Sequence, residues 1–128
     1  MTAAVTVSAM IATHAHAQVY AIDGKRVVVD SEGYLLDRGQ WSEEFARQLA
    51  LREELELTPA HWEVIRFLRD YYAVHGVQAQ VRVMIRHYTA LWGPERGSNH
   101  HLHEMFPRGG PQKQGNRLAG LLRTKGEH

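Results

Sequence analysis

The sequence predicts a mainly α fold: a small orthogonal helical bundle with an N-terminal β-hairpin, a helix-turn-helix-like central pair and a flexible C-terminal arm. Three observations predict it. Residues 58–92 read as two amphipathic helices hinged at Gly76. Two runs rich in β-formers, Gln-Val-Tyr-Ala-Ile and Lys-Arg-Val-Val-Val, flank Asp23-Gly24, a pair suited to a hairpin turn. Beyond residue 107 the chain turns basic and rich in glycine, with too little apolar spacing for a long helix.

Length and charge set the frame. A chain of 128 residues is sized for one domain, and its 44% hydrophobic content is ordinary for a globular protein. It has no cysteine, which excludes disulfides, thiolate metal sites and thiol chemistry of its own. No apolar run approaches the roughly 20 residues that span a bilayer. The net charge is +1, yet residues 18–60 carry five basic and nine acidic side chains, whereas residues 108–128 carry five and one. An acidic front and a basic tail predict that the tail meets an anion or docks on its own front. The organisation expected is an N-terminal extension (1–17), a helical domain (18–107) and an arm (108–128).

Residues 1–17 are uncharged and alanine-rich. Ala15-His16-Ala17 mimics a signal-peptidase site, but no basic leader precedes it, so a flexible extension and a cytoplasmic location are expected. The hairpin follows, then a turn at Asp30-Ser31-Glu32-Gly33. Ser42 caps a helix running to about residue 55, with Phe45, Ala46, Leu49 and Ala50 on its apolar face. Near its end Glu53, Glu54 and Glu56 read as a solvated acidic patch.

Thr58 and Pro59 open the first central helix, and Gly76 closes it. His61, Val64, Ile65, Leu68, Tyr71, Tyr72 and His75 form its apolar stripe, where His61 and His75 are edge residues satisfied by packing. The second, over residues 79–92, presents Val81, Met84, Ile85, Tyr88, Leu91 and Trp92. A short helix capped by Ser98 holds His100, His101, His103 and Glu104, which lack a fixed third ligand; no metal site and no cofactor are expected. A helical turn over 113–118 and a mobile arm end the chain.

Several of these residues carry a resemblance in order along the chain. They are the Asp-Gly-Lys hairpin, Glu32-Gly33-Tyr34-Leu35, Trp41, above all His61-Trp62-Glu63-Val64-Ile65-Arg66-Phe67-Leu68-Arg69-Asp70-Tyr71-Tyr72, then Phe106-Pro107, Gly110-Pro111, Lys113-Gln114 and Leu118-Ala119-Gly120-Leu121. Together they resemble the DsrC/TusE family of sulfur-relay proteins, associated with dissimilatory sulfite reductase and with tRNA thiolation. The resemblance implies a compact helical domain with a β-hairpin and a C-terminal arm that enters partner proteins.

It also implies a reactive sulfur that this chain lacks. Family carriers hold sulfur on a penultimate cysteine, and many have a second just before the basic residue of a Lys/Arg-x-Ala-Gly motif. Those positions are Glu127 and Asn116 here, and neither supplies a thiolate. The expectation is therefore a protein without catalytic residues, not an enzyme, acting as a regulatory protein-binding module. Its partner would belong to a sulfur-relay or sulfite-reductase system. The arm residues that would dock are Phe106, Pro107, Lys113, Arg117, Ala119, Gly120, Gly126 and Glu127. The alternative is DNA binding through the central pair, with Gln78, Gln80, Arg82 and Arg86 facing the duplex.

Overall fold

The computed structural model describes residues 16–123. The expected N-terminal extension lies outside them, apart from His16 and Ala17. Two antiparallel strands, β1 (Gln18–Ile22) and β2 (Lys25–Val29), open the fold in the register Gln18↔Val29 to Ile22↔Lys25. Asp23 and Gly24 both take positive φ, 50° and 77°, as a two-residue turn matched to strand twist requires. An isolated bridge from Val29 to Leu35 extends the pairing.

A 3-10 turn (Arg38–Gln40) and, among the described residues, five α-helices follow: α1 (Glu43–Arg52), α2 (Pro59–His75), α3 (Val81–Trp92), α4 (Asn99–Met105) and α5 (Gly110–Leu118). Their ends obey local chemistry. Ser42 accepts from the Phe45 N–H at 3.1 Å, and Ser98 from the His101 N–H at 3.1 Å. The α2 entry is a reciprocal box: Thr58 Oγ1 accepts from the His61 N–H, and His61 Nδ1 accepts from the Thr58 N–H at 3.1 Å. Gly76, at φ 71°, ends α2. No helix among the described residues is long and apolar enough to cross a membrane.

The mainly helical bundle with its N-terminal hairpin is thus as the sequence predicts. Its centre is elsewhere. The stretch read as an arm forms α5, which packs against α1, α2 and α4. Seven of its nine residues are buried, among them the polar Gln114, Asn116 and Arg117. Phe45 and Leu49 from α1, Ile65 and Leu68 from α2, Met84 and Tyr88 from α3, and Leu102 and Phe106 close the core around it, with Tyr20, Val27 and Val29 from the hairpin. Gly115 lets α5 approach α2 closely, since a Cβ there would stand 2.8 Å from Leu68 Cδ1. The arm as expected beyond residue 123 lies outside the described residues.

Candidate functional site

The site is the path of the chain from α5 to Arg123, leading into the stretch expected to be the arm. Side chains from three distant segments catch its backbone carbonyls. Trp41 Nε1–H donates to Leu118 O at 2.8 Å, and Arg69 Nη1–H to Ala119 O at 2.8 Å. Gln78 Nε2–H donates to Leu122 O at 2.9 Å and to Arg123 O at 3.1 Å. The Arg69 guanidinium lies 3.8 Å from the Trp41 ring centroid, so the two grips brace each other. Burial pulls that guanidinium below its ordinary range, with Asp70 opposing. Gly120 turns the chain at φ 70°, under Trp41.

The basic tail docks on the acidic front. Arg117 Nε and Nη2 reach the two carboxylate oxygens of Glu53, each at 3.0 Å, and Nη2 also donates to Arg108 O. Gln114 Nε2 donates to Glu53 at 2.8 Å, and its Oε1 accepts from the Arg108 N–H at 3.0 Å. Burial alone would lower the Arg117 pKa, but the hydrogen bonds and charge of Glu53 outweigh it and hold the guanidinium above its ordinary range. Arg123 bonds Glu32 at 2.7 Å and Asp30 at 3.3 Å, with Tyr34 4.8 Å below its guanidinium. Glu53 is therefore no part of a solvated patch: its side chain is 10% exposed, because its charge is matched from α5. Glu54 stays at the surface, paired with Arg108 at 3.2 Å.

Of the residues expected to meet a partner, Phe106, Arg117, Ala119 and Gly120 are buried and Pro107 and Lys113 are exposed. Gly126 and Glu127 lie outside the described residues. Asn116, expected from the resemblance to replace an upstream thiol, has no exposed surface, and neither its Nδ2 nor its Oδ1 finds a hydrogen-bond partner among the described residues. His61, 6% exposed, is satisfied at both nitrogens: Nδ1 faces Thr58, and Nε2–H donates to Met105 O at 2.7 Å. That contact places a hydrogen on Nε2, and the ring packs edge-on against Phe106 at 5.0 Å. His75 is exposed rather than completing a buried stripe, with its ring on Tyr71. His100 pairs with Glu104 at the surface, and His103 Nδ1 lies 2.9 Å from Asn99 O. No group of three or more His, Asp or Glu among the described residues is placed to hold a metal ion.

The sequence reading missed Arg69, Arg123 and Glu53 as members of this site. The one signal available was the opposite charge of front and tail.

Comparison with known proteins places the geometry. A family model described as "DsrC like protein" matches residues 21–126. The chain is 40% identical over 99 residues to the sulfurtransferase TusE of Salmonella choleraesuis (strain SC-B67), covering 77% of this chain and 90% of that one. The NMR structure of Allochromatium vinosum DsrC is similar at a TM-score of 0.76 and 37% identity, over 86% of this chain and 97% of that one. The oxidized gamma-subunit of the dissimilatory sulfite reductase (DsrC) from Archaeoglobus fulgidus matches at a TM-score of 0.76 and 35% identity, over 85% and 98%.

These findings correct the functional expectation. The relatives are named as a sulfurtransferase and as sulfite reductase gamma-subunits, and nothing in them supports a regulatory, non-catalytic module or a DNA-binding protein. The structure gives a physical reason against the second. The Gln78 side chain is committed to the tail carbonyls and is not free to face a duplex, while Gln80, Arg82 and Arg86 are exposed. With its family model spanning residues 21–126 and relatives near 40% identity, the chain belongs to the DsrC-like protein family.

Proposed function

We propose that this chain works in cytoplasmic sulfur relay together with a protein partner, and that the thiol chemistry resides on the partner. One observation carries the reading. The chain has the DsrC-like fold and holds its tail by Trp41, Arg69 and Gln78, yet it has no cysteine, and a buried amide, Asn116, stands where the resemblance implies an upstream thiol. Sulfur held as a persulfide needs a thiolate, which neither an amide nor a carboxylate supplies. The names of the relatives support a place in sulfur relay or beside a sulfite reductase, and so a partner drawn from one of those systems.

Two measurements test it. After incubation with a persulfide donor, mass spectrometry of the purified protein is expected to show no added sulfur. A stable sulfur adduct that passes to an acceptor overturns the assignment of the thiol to the partner. In cells, loss of the chain is expected to slow entry of labelled sulfur into relay acceptors, with restoration on re-expression. Unchanged flow overturns the place in sulfur relay.

A further inference from the structure

A groove lined by rings runs between α2 and α3, and none of the tail-gripping side chains lines it. The His87 ring stacks on Phe67 at 4.3 Å between centroids, Phe67 meets Tyr71 at 5.9 Å, and Tyr71 meets His75 at 4.1 Å. These four rings line an open groove of about 410 Å3, whose far end is Val74, 77% exposed. Glu63, Arg66 and Asp70 stand on its rim, and none of them has an ion-pair partner among the described residues. From Glu63 to His75, α2 rises about 18 Å, the span of roughly five extended residues.

We infer that this groove is an interaction surface for a protein partner and takes an extended segment bearing arginine or lysine. The faces of aromatic rings attract cations, and the guanidinium plane stacks on them. The charged groups lining the groove are two carboxylates and one arginine, none in a salt bridge among the described residues, an arrangement complementary to a basic segment. Val74 and the ring edges cover the aliphatic stem that such a side chain buries. Rings in a row also suit stacked bases, but Glu63 and Asp70 would then face a phosphate backbone. The charge therefore selects a basic peptide over nucleic acid. The inference rests on the partner reading above, but its test involves no sulfur, so either can fail alone.

The test titrates isotope-labelled full-length protein with acetyl-Ala-Arg-Ala-Arg-Ala-amide, with the same peptide carrying glutamate for arginine, and with a thymidine pentanucleotide. The arginine peptide is expected to shift the ring resonances of Phe67, Tyr71, His75 and His87 saturably, and to bind about tenfold tighter than the glutamate peptide. Asp70→Asn with Glu63→Gln should weaken it about threefold with the circular dichroism spectrum unchanged. Val74→Arg, at an exposed position, should block it. No saturable shift, equal binding of the two peptides, shifts centred on Glu53 and Glu54, or tighter binding of the oligonucleotide would each overturn the inference.

Discussion

Arg117 and Glu53 form a two-pronged ion pair, Nε and Nη2 each 3.0 Å from a carboxylate oxygen, with side chains only 9% and 10% exposed. The pair joins the last described helix to the first. Taking away one partner leaves a buried charge unmatched, which is far worse than taking away both. Glu53→Gln is expected to destabilise the fold by about 3–5 kcal/mol, read from the urea midpoint. Replacing both residues, Glu53→Leu with Arg117→Met, should recover most of that loss. Equal stability of the single and double variants would show that the pair does not hold α5.

Asn116 offers the opposite case. Its side-chain amide is buried without partners among the described residues, a state that costs about 1–3 kcal/mol for a polar group. Asn116→Cys removes the amide at nearly the same volume, so the melting temperature should hold or rise. The new thiol should resist iodoacetamide in the native protein and react in urea, because the position has no exposed surface. Rapid native labelling would contradict the burial.

Gly120 has no room for a side chain. A Cβ there would lie 2.3 Å from Trp41 Cδ1, on a backbone at φ 70°. Gly120→Ala is expected to displace the indole and break its bond to Leu118 O, at a loss of about 1–3 kcal/mol. A red shift of tryptophan emission at unchanged helix content reports it; an unaltered spectrum would place the indole elsewhere.

Tyr88 gives a pH dependence of known sign. Burial first, then the Glu63 charge, raises its pKa well above the ordinary 10.0, and burial also raises that of Tyr20. Between the unfolded and folded values the native state binds more protons than the unfolded one, so stability falls as pH rises above 10.0. The urea midpoint should decline through that range, and Tyr88→Phe should flatten the decline. A flat profile in the parent protein would refute the burial argument.

Much of this fold was legible locally. The Asp23-Gly24 turn, the Ser42, Thr58 and Ser98 caps and the stop at Gly76 act through neighbours in sequence, so their residues announce them. The position of α5 was not. Gly-Pro-Gln-Lys-Gln-Gly-Asn-Arg-Leu reads as solvated because its polar residues are polar whether paired or not. Gln114 and Arg117 are buried only because Glu53 waits 61 and 64 residues earlier, and no period or propensity encodes that distance. The tail grips escaped for the same reason: Trp41 finds Leu118 across 77 residues, and the bond ends on a carbonyl that every residue owns. The candidate site is thus long-range almost throughout, while the elements that frame it are short-range.

The central place of α5 bears on how the protein is made. Ribosomes deliver the hairpin and the four helices α1 to α4 before α5, which packs against three of those helices. Until residues 114–118 emerge, Glu53 lacks its partners Gln114 and Arg117 and the core lacks Leu118, so the nascent chain waits with part of its interior unfilled. A stop codon near Gly110 would leave a polypeptide for proteases to clear, not a shortened working protein.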